Sequence, residues 1–121
     1  MMTINDIVVR KIFDEQTVAA SSTADSEVFD LGSFTYNRSY ALQIYVTGTG
    51  ASVTATYMQS NDKTNFIVPS GGSAICTDYP DTTDADYAIY SFTPVVARFM
   101  KIRLTETAAA EATVTAWLSM G

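Results

Sequence analysis

Arg98-Phe-Met-Lys-Ile-Arg-Leu104 and, after a small-residue run from Thr105 to Glu111, Ala112-Thr-Val-Thr-Ala-Trp-Leu118 decide how this chain is read. Both stretches alternate. Met100, Ile102 and Leu104 fall on one face of the first and Phe99, Lys101 and Arg103 on the other. In the second, Val114, Ala116 and Leu118 oppose Thr113, Thr115 and Trp117. A side-chain period of two, carried by β-branched and aromatic residues, marks half-buried strands. Setting Leu104 beside Val114, Ile102 beside Ala116 and Met100 beside Leu118 keeps every apolar side chain on one face, and a one-residue slip would scatter them. The spacing therefore predicts a hairpin, with Lys101 against Trp117 on its outer face.

The same pattern repeats upstream. Tyr40 to Thr47 places Leu42, Ile44 and Val46 on one side. Gly48-Thr-Gly-Ala51 reads as a turn, because glycine reaches positive φ cheaply. Ser52 to Ser60 returns with Val53, Ala55 and Tyr57, which predicts a second hairpin pairing Val46 with Val53, Ile44 with Ala55 and Leu42 with Tyr57. Further segments are shorter. Ile7 to Phe13 fits a strand or a short helical turn, and Ala19 to Ser26 reads as a loop. Glu27 to Leu31 precedes a strand at Phe34-Thr-Tyr36. Ser60 to Phe66 is a turn whose Asn and Asp side chains can bond their own backbone. Phe66-Ile-Val68 forms a short strand closed by Pro69-Ser-Gly-Gly72, and Ala74-Ile-Cys76 pairs nearby. Thr77 to Asp86 is a polar loop, and Tyr87 to Thr93 is a strand ended by Pro94. Seven to nine strands joined by turns predict an all-β antiparallel β-sandwich. It forms one domain over residues 1–121, with 1–26 as an extended N-terminal segment.

Composition narrows the function. At 121 residues with 47% apolar content, the chain can bury a core without metal or disulfide. Net charge is −6 with only seven basic residues, too few to cluster on a phosphate backbone, so nucleic acid is not expected as a partner. No stretch approaches the length of a membrane span, and the first residues lack the form of a secretory signal, so synthesis in a cytoplasm is expected. Histidine is absent, and Cys76 is the single cysteine. Those two facts exclude Ser-His-Asp and Cys-His nucleophiles, Cys-rich zinc sites and an intrachain disulfide.

The remaining constellations each have an ordinary explanation. Asp78, Asp81, Asp84 and Asp86 lie close together and could offer hard oxygen ligands to calcium. The spacing and glycine of an EF-hand loop are missing, so a solvated acidic loop is expected and no cofactor is assigned. Asp62, Asp78, Asp84 and Glu106 could be drawn into carboxylate pairs for glycoside hydrolysis, but such pairs need a cleft and a set separation that sequence does not show, thirteen acids supply pairs by chance, and no enzyme is expected. Gly71-Gly72 lacks the context of a phosphate loop, and Cys76 is expected to pack as a small apolar residue. Seven tyrosines suit sheet packing. Trp117 stands apart, because its alternation points it away from the apolar set, onto a face with Lys101 and Arg103. Trp117, Lys101, Phe99 and Arg103 are the candidate interface residues.

Thr54 to Phe66, Tyr90-Ser-Phe-Thr-Pro94, Ala97 to Thr107 and Ala112 to Leu118, in that order, resemble small jelly-roll virion proteins of tailed bacteriophages. The strand, Ser-Asn-Asp turn and aromatic step at Ser60 to Phe66, and the Ala97-Arg-Phe step into a basic strand, also resemble galactose-binding-like sandwich modules. The resemblance covers roughly residues 40–120. It implies a jelly-roll fold and a virion structural role, as a capsid decoration or cement subunit or a tail or fibre component. It also implies a homo-oligomer, often a trimer, and a major capsid or tail protein as partner. Carbohydrate is the alternative partner, and no ligand residue carries over.

Overall fold

Burial alternates along residues 40–47, 53–57, 100–106 and 112–118, which ties the sequence period to two packed layers. The computed structural model describes residues 8–31, 39–69, 74–80, 87–94 and 97–121. Its strands are β1 (Val8–Val18), β2 (Thr23–Asp25), β3 (Phe29–Asp30), β4 (Tyr40–Thr47), β5 (Val53–Ser60), β6 (Ala74–Tyr79), β7 (Ala88–Phe92), β8 (Phe99–Glu106) and β9 (Ala112–Met120). The first sheet runs β1-β9-β4-β7. The second runs β2-β8-β5-β6, with β3 also on β8. Every pairing is antiparallel. The fold class is therefore the expected all-β sandwich.

The core lies between the sheets. Leu42, Ile44, Val46, Val114, Ala116 and Leu118 come from the first, and Val53, Ala55, Tyr57, Met100, Ile102 and Leu104 from the second. Most of these are fully enclosed, and each buried Val, Leu or Ile contributes roughly 1.5–3 kcal/mol relative to exposure.

Neither predicted hairpin exists. β4 pairs with β9 and β7, β5 pairs with β8 and β6, and the residues expected to sit side by side belong to different sheets. Val46 lies beside Val114, Ile44 beside Ala116 and Leu42 beside Leu118. Ala55 lies beside Leu104 and Tyr57 beside Ile102. The physical reason is that two alternating segments with matched apolar faces can pair edge to edge or face each other across a core. Both arrangements bury the same side chains.

Of the links whose residues are all described, three cross between the layers as arches: β1 to β2, β4 to β5 and β8 to β9. They stack in the same order in both sheets, β1-β9-β4 over β2-β8-β5. Gly48, at φ 127°, lies in the β4–β5 arch, where a Cβ would collide with the carbonyl oxygen of Glu111 in the β8–β9 arch. Close passage of one arch over the next thus depends on that glycine.

Glu106 binds the three arches together. It is 2% exposed, and its carboxylate accepts backbone N–H bonds from Ser21 (3.0 Å), Ser52 (3.2 Å), Ala108 (2.8 Å) and Ala110 (3.0 Å). Burial pushes this carboxyl up, but the four N–H donors outweigh it and hold it down at about 2.

Other local readings shift as well. Of the segment Ile7 to Phe13, the described residues from Val8 on belong to a strand that continues to Val18, and the loop expected at Ala19 to Ser26 contains β2. Phe66 to Val68 contributes a single bridge, Ile67 to Gln59, rather than a strand. The expected loop at Thr77 to Asp86 begins as strand, because β6 continues to Tyr79. The strand at Phe34 to Tyr36, the turn at residues 70–72 and Asp81, Asp84 and Asp86 lie outside the described residues.

Candidate functional site

The four candidate interface residues do not share a surface. Trp117 lies on the outer face of the first sheet, beside Gln43 of β4 and Lys11 of β1. Phe99, Lys101 and Arg103 lie on the second sheet, where Lys101 is opposite Met58 and Arg103 opposite Thr56. The predicted contact of Lys101 with Trp117 is therefore absent, because β8 and β9 are in different layers.

On the second sheet the polar groups are spent on one another. Asp25 accepts from Arg103 Nε at 2.7 Å and from its terminal nitrogen at 3.0 Å, and Lys101 Nζ lies 3.0 Å from the same carboxylate. The Arg103 bonds, aided by Lys101, overcome burial and lower Asp25 to about 2, and the pairing raises Arg103 in return. Lys101 Nζ also lies 4.7 Å from the Phe66 ring. Phe99 is buried, with Lys63 and Arg98 over its ring at 5.8 and 5.2 Å.

The outer face of the first sheet is different. Tyr45 and Tyr87 stack at 4.7 Å, and Tyr87 reaches Trp117 at 5.8 Å. Lys11 Nζ stands 5.4 Å from the indole. Alternation explains the row: Tyr45 is one step from buried Ile44 and Val46, and Trp117 is one step from Ala116 and Leu118. Ile89 of β7 lies beside Gln43 and is 66% exposed, and Tyr87 is 56% exposed. An aromatic row beside exposed aliphatic surface can bury area against a partner, and Trp and Tyr carry most of the energy where that happens. Sequence reading isolated Trp117 but missed Lys11, Tyr45 and Tyr87. Outward positions in β4 and β9 were legible. Which strands lay beside them was not.

The acids considered for catalysis are committed elsewhere. Glu106 holds the arches. Asp62 caps its own turn, accepting from the N–H groups of Asn65 (2.8 Å) and Thr64 (2.9 Å), the Ser60 hydroxyl (2.7 Å) and the Asn65 side chain (2.7 Å). Those bonds, the Asn65 N–H first, hold it well below the usual carboxylate range. Asp78 accepts from the Thr107 hydroxyl at 2.7 Å while its own N–H donates to Thr54 Oγ1 at 3.0 Å. Asp84 lies outside the described residues, and no group of three or more metal-ligating side chains occurs among those described. Cys76 is buried, which pushes its thiol up. No helix of the described residues is long and apolar enough to cross a membrane.

Fold and surface together define a two-sheet, jelly-roll-like β-sandwich with an outward aromatic row. No protein-family model matches the chain, and neither does any curated protein. Solved structures do. VP2 of infectious bursal disease virus, in its subviral particle, aligns at 9% identity and TM-score 0.65, over 94% of this chain and 31% of VP2. PirA aligns at 15% identity and TM-score 0.52, over 97% of this chain and 96% of its own. A mitogen derived from Yersinia pseudotuberculosis aligns at 9% identity and TM-score 0.50, over 93% and 86%. The chain thus spans about a third of VP2, and the likenesses are ones of fold.

Proposed function

We propose that this protein is a non-enzymatic structural subunit of a virus particle. The specific reading is a bacteriophage capsid decoration or cement protein, made in the bacterial host and carried in the virion. It acts by oligomeric contact with copies of itself and with a major capsid or tail protein. The observation that carries the proposal is the aromatic row of Tyr45, Tyr87 and Trp117, continued by exposed Ile89 on a sheet face. The particle-forming VP2, which shares the fold, supports it. Many weak copies of such a contact, repeated over a particle, supply strong attachment without a large single interface. Lys101, Arg103 and Phe99 are engaged with Asp25, Phe66, Lys63 and Arg98, so the proposal rests on Trp117 and its neighbours.

A carbohydrate-binding or fibre adhesion role is the second reading, favoured by the open ring of Tyr87. Sugars stack on free ring faces, whereas Tyr45 is covered by Tyr87 and Trp117 is capped by Lys11. The test is mass spectrometry and antibody-gold labelling of virus particles induced from the source organism, beside a glycan array. Regular labelling of heads or tails with no glycan bound is expected. Absence from particles together with a saturable glycan overturns the proposal.

A further inference from the structure

We propose that β7 is an association edge, along which two copies of this chain pair antiparallel about a two-fold axis. Their four-stranded first sheets then join into one continuous sheet. The inference goes beyond the virion role and does not depend on it.

The argument compares the sheet edges. An edge strand offers backbone N–H and C=O groups to any passing strand, and proteins blunt such edges with bulges, charges or short length. β1 carries Arg10, Lys11, Asp14 and Glu15, breaks register twice against β9, and has Glu15 at φ 49°. β2 and β3 are three and two residues long, and each carries an aspartate, Asp25 and Asp30. β6 breaks register twice against β5 and has Asp78 at φ 50°. β7, five residues long, has neither a register break nor a charge. It pairs with β4 in an unbroken ladder from Tyr40–Phe92 to Ile44–Ala88, and among the described residues no other strand joins it. Its sequence, Ala88-Ile-Tyr-Ser-Phe92, holds no charge, proline or glycine.

Charge selects the occupant. A strand meeting its own copy across a two-fold axis sets each charge near its like, which destabilises the pair. The chain carries −6 overall, yet residues 87–94 carry no charge at all. This edge is therefore compatible with itself and offers nothing to an oppositely charged partner. With the axis near Tyr90, Ile89 of one copy lies beside Ser91 of the partner subunit on the outer face, in line with Tyr87, Tyr45 and Trp117. The aromatic rows of the two copies then lie on the same face of the joined sheet, with the two Tyr87 side chains about 20 Å apart along the strands. A five-residue strand buries less than the ~1,200–2,000 Å² of a standard interface, so the pair forms at high concentration or where copies are already held together.

Sedimentation velocity on the full chain, from about 10 µM to about 1 mM, tests this range of weak affinity. A monomer–dimer equilibrium is expected. Hydrogen exchange at residues 88–92 should slow as concentration rises. Ile89→Lys, at a 66% exposed position, should leave thermal unfolding unchanged and raise the dimer dissociation constant about tenfold or more. Val9→Lys, at a 62% exposed position on β1, should leave the dimer intact. A monomer at every concentration overturns the inference, as does a dimer insensitive to Ile89→Lys or association that grows without closing. Protection of residues 88–92 only on addition of a capsid protein also overturns it, since the edge then takes another protein's segment.

Discussion

Replacing Trp117 with alanine separates an outward interface residue from a core residue. Trp117 is half-buried on the outer face, next to fully buried Ala116 in the ladder. Within one copy its side chain gives up the Lys11 cation at 5.4 Å and the tilted contact with Tyr87 at 5.8 Å. An exposed cation–ring contact is worth about 0.5–1 kcal/mol. An aromatic pair adds about 0.5–1.5 kcal/mol beyond area burial. The monomer should therefore lose about 1–2.5 kcal/mol, below the ~3–5 kcal/mol of an enclosed aromatic. Urea unfolding of Trp117→Ala beside wild type, followed by circular dichroism, measures that loss, with an unchanged slope as the check on two-state behaviour. Particle binding by the same variant should fall more steeply, because a tryptophan at the centre of an interface commonly accounts for about 2 kcal/mol or more. A loss of ~4 kcal/mol in the monomer with particle binding intact would refute the reasoning, since it would place the indole in the core.

Three further outcomes follow from the fold. Ile102→Ala should cost about 2–5 kcal/mol in urea unfolding, because the side chain is fully enclosed. Gly48→Ala should destabilise by at least ~2 kcal/mol, since the new methyl meets the Glu111 carbonyl and φ is 127°; Gly50→Ala, open around its Cβ at φ 74°, should cost only about 1 kcal/mol. Glu106 and Asp25 are both depressed to about 2, from ordinary values of 4.5 and 3.8. Their contribution is complete above pH 4.5 and is lost as pH falls through about 2. Melting temperature followed from pH 7 downward should show that acid limb, and Glu106→Gln should lower stability at neutral pH and flatten it.

The strands were legible because burial and alternation coincide. Tyr40 to Thr47 matches β4 residue for residue, and the outward direction of Trp117 holds. The partners were not legible. Leu42, Ile44 and Val46 match the apolar period of Val53, Ala55 and Tyr57 whether the two strands share a sheet or face each other, so periodicity leaves the choice open. The feature tied to the choice is Glu106. In the predicted hairpin it would share the apolar face with Leu104 and have no assigned partner. In the observed fold it points inward, where N–H groups from three separate arches converge on it. A lone acid at the end of an alternating strand, in phase with Met100, Ile102 and Leu104, was the available sign that the chain turns inward there. Lys11 and Tyr87 were missed for a related reason. Both lie near Trp117 only through β1 and β7, whose places in the sheet depend on the arches.

The arches also account for the unlike outer faces of the sandwich. Each arch sends consecutive strands to opposite layers, so a charged run and an aromatic run that are close in sequence end on opposite sides. Lys101 and Arg103 go to the second sheet and find Asp25, which neutralises that face locally. Trp117 goes to the first, where the outward positions of β4 and β9 are Ala41, Gln43, Tyr45, Thr47, Thr113, Thr115 and Ser119, with no acid among them. For a subunit of net charge −6, self-association costs least where acids are absent. Charges elsewhere on the molecule are screened beyond about 8–10 Å at physiological salt, so what matters is the composition of the contact face itself. On that ground the proposal places self-association on the first sheet, at its aromatic row and its uncharged β7 edge.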